Sequence, residues 1–287
     1  WIQLFAETNQ EAADLHIQAF KLAEELSVPV MVCMDGFILT HAYERVDIPE
    51  QATVDKYLPP FEPRQVLDPA NPYSIGAMVG PEAFTEVRYL AHDRQICALE
   101  VIPRIADEFK ALFGRDSGGL IHTYLTEDAE TIVVTLGSVA GTVKDTVDLM
   151  RENGTRIGVV SICSFRPFPK DQIRAALEQA KRVVVLEKSF ALGFGGIVAN
   201  NVMMSMQRTG VHVYTAVAGL GGRPIIRTSL TALFEKAGRD ELEDVHFLDL
   251  DWEVVNRELD RARESITSGP TAENILRDLG PGVAKAV

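Results

Sequence analysis

The sequence predicts an α/β fold of the doubly wound, parallel-sheet type, and three observations carry that reading. Residues 1–35 spell a strand, an amphipathic helix and a second strand, and two strands joined by such a crossover run parallel. Between Thr131 and Lys236, short runs rich in β-branched residues alternate with helical stretches, the pattern of a doubly wound sheet. Glycine-bearing turns close several of these runs, at Asp35-Gly36, Gly137–Gly141, Gly193–Gly196 and Gly219–Gly222, where strand gives way to loop.

Taken in order, Trp1 to Ala6 reads as a strand. Thr8-Asn9-Gln10-Glu11 fits a capping box, in which a hydroxyl and a carboxylate satisfy free N–H groups at a helix start. The helix that follows carries Ala12, Leu15, Ala19, Leu22, Ala23 and Leu26 on one face, and Pro29 stops it. Val30 to Met34 is a short buried strand running into the polar turn Asp35-Gly36. Ligands of open parallel sheets gather outside the carboxyl ends of strands. Asp35, Gly36, Thr40 and His41 therefore fall where chemistry is expected. A plain turn leaving a core strand is equally consistent with the pattern. Two strands and one helix do not close a core. The first domain is expected to be completed by another chain or by roughly a hundred upstream residues, the amount that brings a half-sheet to domain size.

Seven of the 14 prolines fall between Pro49 and Pro81, which predicts a stiff, extended connecting arm. Glu82 to Phe113 reads as a long helix that Pro103 is expected to kink or split. The second α/β unit begins near Thr131. Its strands are Thr131–Leu136, Arg156–Ile162, Val183–Leu186 and His212–Ala216, and its helices end at Gly154, Ala180, Met206 and Lys236. The chain past Arg239 is acidic and mostly helical. The domain boundaries are therefore 1–55, 56–128, 129–240 and 241–287.

Composition excludes several classes. A net charge of −13 argues against nucleic-acid binding, which draws on Lys and Arg at phosphates. No apolar run is long enough to span a membrane. Cys33, Cys97 and Cys163 form no CxxC pair and no iron–sulfur or zinc spacing. Their apolar neighbours predict core positions, and their odd number fits a reducing cytoplasm. Gly137–Gly141 follows a strand but lacks the third glycine of a dinucleotide fingerprint. Gly193–Gly196 opens a helix and either cradles an anion or serves as a tight turn. Gly219–Gly222, followed by Arg223, carries the same two readings. No GDG motif is present.

Several segments together resemble the alpha subunit of pyruvate:ferredoxin oxidoreductase. They are Glu7-Thr8-Asn9-Gln10-Glu11, Asp35-Gly36-Phe37 with Thr40-His41, His122-Thr123-Tyr124, Leu136 to Thr142, Arg166-Pro167-Phe168-Pro169 and Gly219 to Arg223. Thr8 and Thr40 stand where the family more often has Asn and Ser. The resemblance implies the late part of a pyrimidine-binding domain over 1–55 and a transketolase C-terminal-like domain over 129–240. It implies thiamine diphosphate, with Asp35, Gly36, Phe37, Thr40 and His41 near the cofactor. Mg²⁺ and the diphosphate half would lie on a beta subunit, and iron–sulfur clusters on a further partner among the gamma and delta subunits. The implied reaction decarboxylates pyruvate, passes electrons to ferredoxin and gives the acyl group to coenzyme A. Other 2-oxoacids (2-oxobutyrate, oxalate, an aryl glyoxylate) and a non-catalytic scaffold role remain open. The family's activating glutamate and substrate-binding arginine match no residue here, so no catalytic residue and no metal ligand is assigned.

Overall fold

The computed structural model describes residues 1–76, 78–264 and 269–280. The chain opens with β1 (Ile2–Phe5), α1 (Asn9–Leu26) and β2 (Val30–Cys33), then one helical turn, α2 (Ile38–His41). A short helix, α3 (Gln51–Tyr57), lies inside the expected extended arm. That stretch holds no proline, so nothing blocks its helical hydrogen bonds, and Tyr57 anchors it by burial. The described residues between Leu58 and Ala83 carry no helix or strand. Next comes α4 (Phe84–Phe113), which runs through Pro103 without splitting. Ile102 and Ile105 are buried on either side of the proline, and that packing outweighs the one lost backbone bond.

The second series is β3 (Ile121–Tyr124), β4 (Thr131–Thr135), α5 (Val139–Glu152), β5 (Ile157–Ile162), β6 (Ser164–Arg166), α6 (Lys170–Leu177), β7 (Arg182–Glu187), α7 (Ile197–Ser205), β8 (His212–Val217), α8 (Arg227–Gly238) and β9 (Val245–Phe247). Two sheets result, of order β2-β1-β6 and β3-β5-β4-β7-β8-β9. β1 and β2 pair parallel, from Ile2↔Val30 to Phe5↔Cys33. β5, β4, β7 and β8 are mutually parallel, and β3 runs antiparallel on β5. Part of what the opening unit lacks comes from within the chain: β6 pairs antiparallel with β1, and α4 packs on α1.

Each sheet has its own core. The first gathers Ile2, Leu4, Leu15, Leu22, Ile105 and Phe109; the second gathers Ile132, Val134, Val160, Ile173, Val185 and Val202. Cys163 is buried in the first core, whereas Cys33 and Cys97 are only half-buried, so the expected core placement holds fully for one of the three. The strands and helices to His246 make one compact unit, and the chain from Phe247 on makes another. The latter carries α9 (Trp252–Glu264) and α10 (Thr271–Leu279), joined by Arg261 to Asp278 at 2.7 Å. No helix among the described residues is long and apolar enough to cross a membrane.

Candidate functional site

β4 leads through α5 to β5 on one side, and the chain then crosses to β7 on the other side of β4. The strand order therefore reverses between β4 and β7, and ligands of open α/β sheets bind at the carboxyl ends of such a pair. Asp35 enters this crevice from the end of β2. Its Oδ2 accepts the Ser138 N–H at 3.1 Å, at the start of α5. The same oxygen accepts the Ser138 hydroxyl and the Lys188 ammonium. A Cβ at Gly137 would collide with the other carboxylate oxygen, and Gly137 has a φ of +75°, so glycine is required twice over at that turn. Asp35 is thus a latch between the two sheets. Ser138 and Lys188, which close it, were not singled out from sequence; the lysine's place directly after a strand beside the reversal was the one available clue.

The rest of the predicted loop stays together and faces outward. Phe37 has a φ of 66°, a left-handed conformation uncommon for a bulky side chain. Its N–H donates to Thr40 Oγ1 at 3.0 Å, and Thr40 Oγ1 lies 2.8 Å from His41 Nδ1. The Phe37 and His41 rings stack with centroids 5.0 Å apart, and Phe37 is 72% exposed. Gly36 is exposed, and a Cβ added there would meet nothing within 4 Å. An outward aromatic pair buttressed by a threonine is a surface that can receive a flat ring.

The glycine turn before α7 carries an anion of the chain's own. Glu187, 3% exposed, accepts the N–H groups of Ile197, Val198 and Ala199 at 2.8–3.0 Å and the Ser189 hydroxyl at 2.8 Å. A carboxylate so placed satisfies the free donors and the dipole of the helix start. A Cβ on Gly196 would strike that carboxylate. Gly193–Gly196 is therefore a turn built around Glu187. Gly219, Gly221 and Gly222 all have positive φ, as a tight turn needs.

A seam of opposite charges joins the opening unit to the chain beyond residue 114. Glu7 accepts from Lys144 at 2.5 Å, and fully buried Asp14 accepts from Arg115 at 2.8–2.9 Å and from the Ser117 hydroxyl at 2.8 Å. Glu11 accepts the Gly118 N–H at 3.1 Å and lies 3.0 Å from His122 Nε2. Its other oxygen accepts the N–H of Glu7 at 2.7 Å, one residue before the N-cap position that an ideal capping box would reach, while Thr8 caps the Glu11 N–H as expected. Burial pushes the Glu11 carboxyl up, but the bond and charge of His122 and the two N–H groups outweigh it and hold it below the usual range. Burial likewise pulls the His122 imidazole down, and Glu11 more than reverses this. Burial, then the charges of Glu11 and Glu7, push the Cys163 thiol well above its ordinary value.

Residues 1–105 match the model of the family described as pyruvate flavodoxin/ferredoxin oxidoreductase, thiamine diphosphate-binding, and residues 129–229 match that of pyruvate:ferredoxin oxidoreductase core domain II. Among curated proteins, pyruvate synthase subunit PorA of Methanosarcina barkeri is 44% identical over 243 residues, 82% of this chain and 60% of the relative. PorA of Pyrococcus furiosus is 38% identical over 266 residues, 89% of this chain and 67% of the relative. Ketoisovalerate oxidoreductase subunit VorA of Pyrococcus horikoshii is 37% identical over 238 residues, 82% and 60% respectively. The chain spans 60% of the length of the first of these. A 2-oxoglutarate:ferredoxin oxidoreductase from Magnetococcus marinus, solved with 2-oxoglutarate, coenzyme A and succinyl-CoA bound, shares the fold, with a TM-score of 0.55 at 16% identity over 82% of this chain and 42% of that one.

Proposed function

The chain belongs to the pyruvate:ferredoxin oxidoreductase family, and from that premise we propose that it forms part of a cytoplasmic 2-oxoacid:ferredoxin oxidoreductase acting on pyruvate. The observation that carries the reading is the Phe37–His41 loop at the end of β2, within the segment that matches the thiamine diphosphate-binding model. Thiamine diphosphate, when bound, supplies the carbanion that makes decarboxylation of a 2-oxoacid possible. The residues present fit its aminopyrimidine half. Phe37 and His41 offer an exposed aromatic face. Thr40 Oγ1 accepts the Phe37 N–H and lies 2.8 Å from His41 Nδ1, which ties the imidazole to the loop. Asp35 does not touch the cofactor in this scheme: its engaged oxygen is committed to Ser138 and Lys188, and its role is to hold the loop. Gly36 gives the backbone its turn.

The diphosphate and Mg²⁺ are assigned to a beta subunit, since the sequence has no GDG motif and Mg²⁺ needs several converging oxygen ligands. Gamma and delta subunits complete the complex in this reading, the delta subunit with the iron–sulfur clusters that lead electrons to ferredoxin, and coenzyme A takes the acyl group. Pyruvate is preferred to other substrates on the 44% identity to one PorA against 37% to a VorA, although PorA relatives range down to 36%.

In the assembled enzyme, His41→Ala is expected to lower turnover or weaken thiamine diphosphate binding by roughly tenfold, about 1.4 kcal/mol. Unchanged kinetics would remove the loop from the site. A higher kcat/KM for 2-oxoisovalerate than for pyruvate would overturn the substrate assignment. Calorimetry of the isolated chain with thiamine diphosphate and Mg²⁺ should show no micromolar binding (about −8 kcal/mol), because half the ligand set is assigned elsewhere.

A further inference from the structure

Away from the cofactor loop, three side chains with metal-ligand chemistry converge inside the molecule. Glu11 lies in the first turn of α1, His122 in β3, and Cys163 between β5 and β6. A carboxylate oxygen, a ring nitrogen and the thiol sulfur all lie within 4.8 Å of one another. Glu11 and Cys163 are buried, and His122 is partly covered. Around zinc, with bonds of about 2.0–2.1 Å to N and O and about 2.3 Å to S, tetrahedral donors stand roughly 3.3–3.8 Å apart. The cluster therefore closes onto an ion with side-chain shifts of about an ångström. The Glu11 Oε1 lone pair in question already faces His122 Nε2 at 3.0 Å, and its other contacts, to Glu7 and Gly118, hold the carboxylate still.

A second, independent observation marks the same place. Among the described residues, the buried side-chain oxygens without a hydrogen-bond partner are Glu7 Oε1 and Ser161 Oγ. Ser161 is 1% exposed and stands directly across the β3–β5 ladder from His122, so the two side chains share a face of the sheet. Glu7 touches Glu11 through its N–H, and its charge acts on both His122 and Cys163. Orphaned buried oxygens are costly unless something fills the gap.

We propose that Glu11, His122 and Cys163 bind one zinc ion, or a cation of similar chemistry, as a staple between the opening unit and the second sheet. A water takes the fourth position. Binding releases the thiol proton and any proton on the His122 ring nitrogen that takes the ion. The dication itself favours the Cys163 thiolate, against the pull of the neighbouring carboxylates. The ion would be structural, because its three ligands tie α1 to β3 and to the turn between β5 and β6 and none of them belongs to the Phe37–His41 loop.

The test is zinc content and zinc K-edge X-ray absorption on the assembled enzyme, which holds this chain in its full natural polypeptide. Both readouts are blind to iron. Supplied with stoichiometric Zn²⁺ against a competing chelator, the enzyme should retain about one zinc per chain, with one sulfur at about 2.3 Å and the remaining ligands N or O. Cys163→Ala should lower the retained zinc by roughly tenfold or more, while Cys97→Ala leaves it unchanged. Absence of zinc, a shell of N and O only, or full retention in Cys163→Ala would overturn the proposal. The absorption spectrum needs no variant, so the outcome stands even if Cys163→Ala fails to fold.

Discussion

Asp35 and Glu187 each hold the first turn of a helix, and both sit where a bound anion is otherwise expected. Glu187 gathers three backbone N–H groups and a hydroxyl. Replacing it by Gln turns an amide NH₂ toward those donors and should lower stability by about 2 kcal/mol or more, read as a fall in the urea midpoint at constant slope. Gly196→Ala should do at least as much damage through the clash with the same carboxylate. Asp35→Asn should cost about 1–2 kcal/mol and also disturb the loop that follows. An unchanged midpoint would show that the latch adds nothing to the fold. The sequence marked Gly193–Gly196 as an anion cradle or a turn. It did not reveal that the anion lies ten residues before Ile197 in the same chain, because a glutamate at a strand end looks no different from any other strand residue.

At the scale of elements, the long helix and the central strands were legible because their periodicity is strong. The strands β3, β6 and β9 were not: β6 and β9 have three residues each, too few to show alternation, and β3 is joined to β4 by a short loop rather than by a crossover helix. β6 matters most among them: it gives β1 a neighbour on its open side. Helix α3 was hidden by the prolines around it. Its Tyr57 hydroxyl donates to the Ile105 carbonyl of α4 at 2.9 Å, and burial pushes that hydroxyl's pKa up. Tyr57→Phe should therefore lower stability by about 1 kcal/mol while leaving cofactor affinity unchanged. Pro103 sits inside an unbroken α4. Pro103→Ala restores a donor for the Leu99 carbonyl and should raise the midpoint, by about 1 kcal/mol or more given the intrinsic helix penalty of proline. A fall would show that α1 and α4 pack on the ring itself.

For the molecule as a whole, the seam of charges is the organising contact. Arg115→Ala leaves Asp14, 0% exposed, with the Ser117 hydroxyl and the Gln10 amide as its partners. Breaking a buried pair in this way should cost about 3 kcal/mol, measured by urea unfolding, and a loss below about 0.5 kcal/mol would reduce the pair to a surface contact. Little of the seam was legible, because each acid finds its base far along the chain: Asp14 and Arg115 are 101 residues apart, Glu11 and His122 111, Glu7 and Lys144 137, and Asp35 and Lys188 153. The signs are also sorted by position, with the acids early and the bases late. During synthesis at about 5–20 residues per second, the opening strands would leave the ribosome several seconds before their counter-charges exist. Until Lys188 emerges, the Asp35 carboxylate lacks the ammonium that it holds in the folded chain. The ion pairs that join the two sheets can therefore form only once the residues from 115 to 188 have been made.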